Sequence, residues 1–198
     1  MYLALSLASS KGLCIIINSQ FEILALREWD ERDTLDHWKV LDKSILEIFE
    51  EAKIQSFQIQ KIFCVQGPGA YTGLRIASSY AQGMGMALGI DIIGIPTFDL
   101  NIKGTSFIIP QRHQRARDLA WADAKAQGYE FLKIEDTNRA SLVEVSESDT
   151  KWGFADSENV LWPTAEQLLH AVKLNNSKNT PFSLFYGLGA KVFGKYLT

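Results

Sequence analysis

The ten residues QGPGAYTGLR, positions 66–75, have the composition of a phosphate-binding turn that leads into a helix. Glycines permit a tight turn, and the free N–H groups at a helix start attract anions. A Walker turn, however, ends in Lys followed by Ser or Thr, and this chain has Leu74-Arg75 there. The spacing of the three glycines also differs from the dinucleotide-binding fingerprint. The sequence therefore disfavours nucleotide binding by this turn alone.

Other groupings of reactive side chains are weaker. None of His37, His113 and His170 stands at metal-ligand spacing with Cys, Asp or Glu. The serine pairs Ser9-Ser10 and Ser78-Ser79 have no His and acid close to them in sequence, although a triad assembled in space stays open. Cys14 and Cys64 lie in apolar runs, which predicts reduced core residues. We therefore expect no catalytic residues, no bound cofactor and no metal site in this chain.

Charge limits the classes of partner. The chain has 198 residues and a net charge of −3, whereas a protein that holds nucleic acid alone usually has a basic excess. We expect any RNA contact to be shared with a partner. The one concentrated basic run, Arg112–Arg117, either contacts RNA phosphate within a complex or is a solvated face. The apolar start is too short to span a bilayer and follows no basic region, which predicts a cytoplasmic protein that does not bind membranes.

The elements that must position these residues alternate between strand and helix. Apolar runs separated by turn residues predict strands, and apolar residues at three- and four-residue spacing predict a helix from a Thr34 cap to about Lys53. A second helix, capped by Thr72, follows the glycine-rich turn. The predicted strands of the first half are Leu3–Ala8, Leu13–Asn18, Phe21–Arg27, Lys61–Gln66 and Asp91–Ile95. This order predicts an α/β fold with a lobe at residues 1–99 and a smaller, divergent lobe at residues 100–198.

Small residues recur every four positions along the second predicted helix, at Gly73, Ala77, Ala81 and Gly85. Residues four apart share one face of a helix, so this stripe lets another backbone approach closely. That backbone belongs either to the protein's own sheet or to a helix of another subunit. Trp38, at the start of the first helix, is the best candidate for an interface anchor because aromatic residues are enriched at binding hot spots.

The same segments resemble a known family. GPGAYTGLRIASSYAQGMGMALGIDIIGIPT, positions 67–97, is similar to the signature of the TsaB (YeaZ) family, which is close to GPGSFTGLRIG followed by a small-residue helix and a strand. LDHWKVLDKSILEIFEEA resembles the family's first helix, YLALSLAS its first strand, and YGLGAKVF a segment near its carboxyl terminus. The resemblance is strong over residues 35–97 and weak elsewhere.

The resemblance implies an actin/Hsp70/sugar-kinase-like (ASKHA) fold, with a mixed sheet and two helices in the first lobe and a reduced second lobe. It also implies an accessory, non-catalytic subunit of the bacterial complex that adds threonylcarbamoyl to N6 of adenosine 37 (t6A) in tRNAs that read ANN codons. The implied partners are a TsaD-like catalytic subunit, a TsaE-like ATPase, and tRNA only within the complex. ATP, metal and threonylcarbamoyl-AMP would be used by the partner subunits. Alone, the chain would form a homodimer through the partner-binding surface.

Two departures from the family pattern bear on function. Ser6 stands where the family has an aspartate in its first strand, and Asp36-His37-Trp38 replaces the usual His-Ser-Glu before the first helix. Kinases of this fold need an acid and a glycine-bearing turn at the first strand to handle Mg²⁺ and phosphate. Two alternatives stay open: a small ATPase or kinase of the same superfamily, and a self-associating homologue that has lost its role in tRNA modification.

The residues predicted to bind the partner lie on the two helices of the first lobe, and some of them must face the protein's own sheet. They are Trp38, Leu41, Ile45, Tyr71, Leu74, Arg75, Ser78, Ala81, Gln82 and Gly85.

Overall fold

A computed structural model describes residues 1–9, 11–30, 36–67, 69–100, 107–109, 132–135, 140–144, 151–155, 163–177 and 182. The strands and helices of the first half alternate as predicted, which confirms the α/β class. In chain order these elements are β1 (Tyr2–Ser6), β2 (Lys11–Ile17), β3 (Ile23–Asp30), α1 (His37–Ala52), β4 (Lys61–Gly67), α2 (Tyr71–Leu88) and β5 (Asp91–Pro96). They are followed by β6 (Phe107–Ile109), β7 (Leu132–Glu135), β8 (Ala140–Glu144), β9 (Lys151–Ala155) and α3 (Ala165–Asn175).

Five strands form one mixed sheet in the order β3-β2-β1-β4-β5. Strand β2 runs antiparallel to both of its neighbours, β1 and β3, whereas β4 and β5 run parallel to β1. The central strands are apolar on both faces because helices cover both sides of the sheet. Helices α1 and α2 pack on one face with Leu3, Leu5 and Ile16, and α3 packs on the other face with Ala4 and Ile15.

The two cysteines belong to this core. Cys14 of β2 and Cys64 of β4 are free and buried, and each is paired in register with Leu5 of the strand between them. Burial raises the pKa of each thiol to about 12, so both are protonated and unreactive at neutral pH. The prediction of reduced core cysteines is confirmed.

The helix ends differ from the predicted caps. The side chain of Asp36 caps α1 by accepting a hydrogen bond from the N–H of Lys39 at 3.2 Å, and the predicted cap, Thr34, lies outside the described residues. The helix ends at Lys53 in the left-handed conformation, close to the predicted end. Helix α2 starts after Ala70 without a side-chain cap, so the prediction of a Thr72 cap is wrong.

The strands described beyond residue 100 form a second sheet in the order β6-β9-β8-β7. These four strands lie within the predicted second lobe. Helix α3, which lies beyond the predicted boundary at 99/100, packs on the five-stranded sheet through Leu168, Ala171 and Val172. The core around this sheet therefore includes residues on both sides of the predicted boundary at 99/100.

A buried polar contact fixes the carboxyl end of α3. Asn175 is 1% exposed, and its Nδ2 donates hydrogen bonds to Oδ2 of Asp99 at 2.8 Å and to the carbonyl of Ala171 at 2.9 Å. Asp99 belongs to the short 3₁₀ turn after β5. This contact joins residues that are 76 positions apart in sequence.

Replacing Asn175 with Ala is expected to lower the free energy of unfolding by about 1–3 kcal/mol, because a buried hydrogen bond to a carboxylate is lost. Urea unfolding followed by circular dichroism measures this. Lys173→Ala, an exposed change on the same helix, is the control and should leave the midpoint nearly unchanged. Equal midpoints for the two variants would show that Asn175 does not hold α3 in place.

Candidate partner-binding surface

The glycine-rich turn is filled by the protein's own backbone. A β-carbon at Gly69 would lie 2.3 Å from the carbonyl oxygen of Ala8, and one at Gly73 would lie 2.1 Å from that of Leu7. The N–H of Ala70 donates a hydrogen bond to the Ala8 carbonyl at 2.7 Å. These glycines are therefore needed for close packing, and an anion in the turn would meet a carbonyl oxygen.

Ser6 lies at the end of β1, where a kinase of this fold carries an acid. The side chain is 1% exposed, and its Oγ has no hydrogen-bond partner among the described residues. A neutral hydroxyl supplies no charge to hold Mg²⁺. No group of three or more His, Cys, Asp or Glu side chains within the described ranges is arranged to hold a metal ion.

The predicted stripe of small residues on α2 faces the protein's own sheet. Gly73, Ala77, Ala81 and Gly85 are all buried, and a β-carbon at Gly85 would lie 2.9 Å from the side chain of Ile92. Of the two alternatives that the sequence left open for this stripe, internal packing is therefore the one observed.

Burial also divides the ten predicted partner-binding residues. Six of them are buried in the chain's own core and have no free surface to offer a partner: Leu41, Ile45, Leu74, Ser78, Ala81 and Gly85. In the structure these six residues pack the helices onto the sheet. The four that remain exposed are Trp38, Tyr71, Arg75 and Gln82.

Trp38 connects the start of α1 with the middle of α2. Its ring centroid lies 5.5 Å from that of Tyr80, while 46% of the residue stays exposed. Burial, together with the charge of nearby Asp42, raises the pKa of the Tyr80 hydroxyl to about 12. Tyr80 is therefore neutral at physiological pH, and the pair forms an apolar ridge between the two helices.

Tyr71 and Arg75 form a second exposed pair, one turn apart at the start of α2. Nη1 of Arg75 donates a hydrogen bond to the Tyr71 hydroxyl at 2.8 Å, and the guanidinium carbon lies 5.3 Å from the ring centroid. This geometry is a cation–π contact supported by a hydrogen bond. The pair holds a positive charge at a defined place on the surface.

Sequence reasoning missed the outward face of α2. Ser79, Gly83 and Ala87 are exposed and also recur every four residues, with Met86 beside them at 85% exposure. A β-carbon at Gly83 would meet nothing within 4 Å. The four-residue spacing was visible in the sequence, but the same spacing exists on the buried face.

The two helices differ sharply in charge. Arg75 is the only charged residue among the 18 residues of α2. The 16 residues of α1 include six Lys, Asp and Glu residues, and several of these pair within the chain. Arg27 of β3 forms ion pairs with Glu47 and Glu51, and Lys43 lies 3.7 Å from Glu47. Helix α1 thus has the charged face typical of solvent exposure, and α2 does not.

Two predictions concern features beyond these helices. The basic run Arg112–Arg117 lies outside the described residues. Among the described helices, none is long and apolar enough to cross a membrane.

Parts of this chain are similar in sequence to one protein family and to two known proteins. A family model described as TsaD, tRNA N6-adenosine threonylcarbamoyltransferase, matches residues 32–116. A Buchnera aphidicola protein named tRNA threonylcarbamoyladenosine biosynthesis protein TsaB is 26% identical over 124 residues, which is 60% of this chain and 55% of that protein. An uncharacterized protein of Mycobacterium leprae is 28% identical over 96 residues, 46% of this chain and 27% of that protein. The chain thus spans about half or less of these relatives' lengths.

The solved structure of YeaZ from Pseudomonas aeruginosa matches with a TM-score of 0.54 and 17% sequence identity, over 92% of this chain and 99% of that chain. This match confirms the predicted ASKHA-like fold. The TsaD family model and the Buchnera TsaB protein both belong to t6A biosynthesis. These two matches agree with the family resemblance of the glycine-rich segment.

Alanine at Gly73 and alanine at Gly83 are expected to have opposite effects on stability. The Gly73→Ala methyl overlaps the Leu7 backbone and should cost about 1–3 kcal/mol. The Gly83→Ala methyl enters open space and should raise stability by up to about 1 kcal/mol through helix propensity. Urea unfolding at neutral pH compares the two, and similar losses for both would contradict the assignment of an inward and an outward face.

Proposed function

Because these matches support the assignment of the chain to the TsaB/YeaZ family, we propose that it is an accessory, non-catalytic subunit that binds a TsaD-like partner. The complex supports the addition of threonylcarbamoyl to N6 of adenosine 37 in tRNAs that read ANN codons. The contribution of this chain is a binding surface that positions the catalytic partner.

The outward face of α2, on which Arg75 is the one charged residue, is the observation that carries this proposal. Charged residues are depleted at the core of protein–protein interfaces, whereas a solvated helix face usually carries several. Gly83 adds to the argument, since a glycine inside a helix costs about 1 kcal/mol relative to alanine. Nothing within 4 Å of its β-position explains the glycine by internal packing. A partner helix that approaches the α2 backbone closely would explain it.

We define the α1/α2 surface as the exposed residues that such a partner would contact. Trp38 supplies a large aromatic anchor at one side, and Met86 supplies an adaptable apolar contact. The residues of the α1/α2 surface are Trp38, Tyr71, Arg75, Ser79, Gln82, Gly83, Met86 and Ala87.

The absence of catalysis in this chain is part of the proposal. The Ala8 carbonyl occupies the turn where a kinase would hold phosphate, and Ser6 replaces the acid that would hold Mg²⁺. These two observations favour an accessory subunit over a small ATPase or kinase. ATP, metal and threonylcarbamoyl-AMP are therefore assigned to the partner subunits, and the chain itself needs no cofactor.

The wider assembly is proposed from the family alone. A TsaE-like ATPase and tRNA would join only once the partner is bound, and the complex would work in the cytoplasm. Without its partner the chain would form a homodimer through the α1/α2 surface, because the same uncharged face would otherwise stay exposed.

Gly83→Leu and Met86→Glu are expected to weaken binding to the TsaD-like protein of the same organism by at least about tenfold, or about 1.4 kcal/mol. Leucine fills the space that the partner backbone would occupy, and glutamate places a charge in an apolar contact. Calorimetry gives the dissociation constants, and light scattering after size exclusion gives the stoichiometry. Gly83→Leu is not expected to unfold the chain, because its side chain points into open space.

Phe57→Glu is the matched control for Met86→Glu. Phe57 is an exposed apolar residue, at 76%, and lies beyond the carboxyl end of α1 from Trp38. This variant should bind the partner like the unaltered chain. If Phe57→Glu weakens binding and Gly83→Leu does not, the partner uses a different surface, and the proposed one is wrong.

The role in tRNA modification is expected to follow partner binding. In cells that depend on this chain, Gly83→Leu should lower the t6A content of tRNA, and Ser6→Ala should leave it unchanged, because Ser6 is buried and assigned no chemistry. Nucleoside analysis of purified tRNA measures both. A strong loss of t6A with Ser6→Ala, at unchanged protein level, would favour the catalytic alternative.

A further inference from the structure

We propose that Arg75 selects the partner by pairing with a carboxylate on the partner's surface. This inference rests on the proposed function and adds the chemistry of one contact within the α1/α2 surface. It assigns Arg75 to charge-specific recognition and Tyr71 to positioning its guanidinium group.

The position of Arg75 is not explained by its own helix. It lies in the second turn of α2, next to the amino-terminal turn in which the helix dipole disfavours a positive charge. The first turn of α2 contains no acidic residue that would offset this. Local electrostatics would favour a neutral or acidic side chain here.

Arg75 also has no counterion within the described part of the chain. The ion pairs found there involve the cations Lys11, Arg27, Lys39 and Lys43, and Arg75 is not among them. Its observed contacts are with the hydroxyl and the ring of Tyr71, and neither contact is to a carboxylate. A full positive charge is therefore left for an external group.

Tyr71 restricts where that group can bind. Its hydroxyl takes one of the five N–H donors of Arg75, and its ring lies against the guanidinium. Both residues are exposed, with Tyr71 at 47%. The side-chain freedom of Arg75 is thereby reduced before binding, and its planar fork retains donors that match the two oxygens of a carboxylate.

The surroundings favour a protein carboxylate over an RNA phosphate. Surfaces that bind nucleic acid group several cations, because affinity comes from neutralising successive phosphates. On the outward face of α2, Arg75 is followed by Ser79, Gly83 and Met86, which are small or apolar. A single arginine at the margin of an uncharged face is typical of a protein interface, where one ion pair fixes orientation.

The test compares Arg75→Gln, Arg75→Lys and the unaltered chain by calorimetry with the TsaD-like protein of the same organism, at low and high ionic strength. Arg75→Gln should weaken binding by about tenfold and make the dissociation constant less dependent on salt, because an ion pair is lost. Arg75→Lys should recover only part of the affinity, because it keeps the charge but loses the fork. Lys43→Gln, an exposed cation on α1, is the control and should bind normally.

Each result decides a separate point. If the unaltered chain binds the partner and Arg75→Gln binds equally well with the same salt dependence, the carboxylate contact is wrong and the proposed function stands. If the unaltered chain does not bind the partner at all, both the carboxylate contact and the proposed function are wrong. If Arg75→Gln leaves partner affinity intact but weakens tRNA binding by the assembled complex, Arg75 contacts phosphate and the inference is overturned.

Discussion

The close contact between the backbone of Leu7 and Ala8 and the glycine-rich turn determines how α2 lies on the sheet. Their carbonyl oxygens occupy the positions that β-carbons at Gly69 and Gly73 would need. This contact presses the start of α2 onto the end of β1 and fixes the rotation of the helix about its own axis. Ala77 and Ala81 then face the core, and the opposite side of α2 must face outward. One backbone contact thus fills the turn and selects the face that remains exposed.

The sequence was sufficient for the element order and the α/β class, because apolar runs and helical periodicity depend only on local spacing. It was not sufficient for the orientation of α2. That helix has small residues at four-residue spacing on two faces, Gly73 to Gly85 inward and Ser79 to Ala87 outward. Spacing is the same for both, and only the tertiary contact with Leu7 distinguishes them. Four of the predicted interface residues, Leu74, Ser78, Ala81 and Gly85, lie on the buried side of this helix.

Helix α3 illustrates a second limit of local reasoning. Its amphipathic pattern and its Thr164 cap were readable from neighbouring residues. Its packing partner was not, because the contact that holds it, Asn175 with Asp99, joins residues far apart in sequence. The core on this face of the sheet therefore combines residues from both sides of position 99/100 in the sequence. Because α3 packs on the opposite face of the sheet, it does not cover α1 or α2.

The distribution of charge over α1 and α2 connects the fold with the proposed function. Arg27 ties the acidic face of α1 to β3, so the charges of α1 are used within the chain. Helix α2 has no such network, and its single charge is held outward by Tyr71. Opening the glycine-rich turn to a phosphate would require Ala8 to move, which would break the contact that fixes α2. In the structure this contact is made, and it leaves the outward face of α2 exposed.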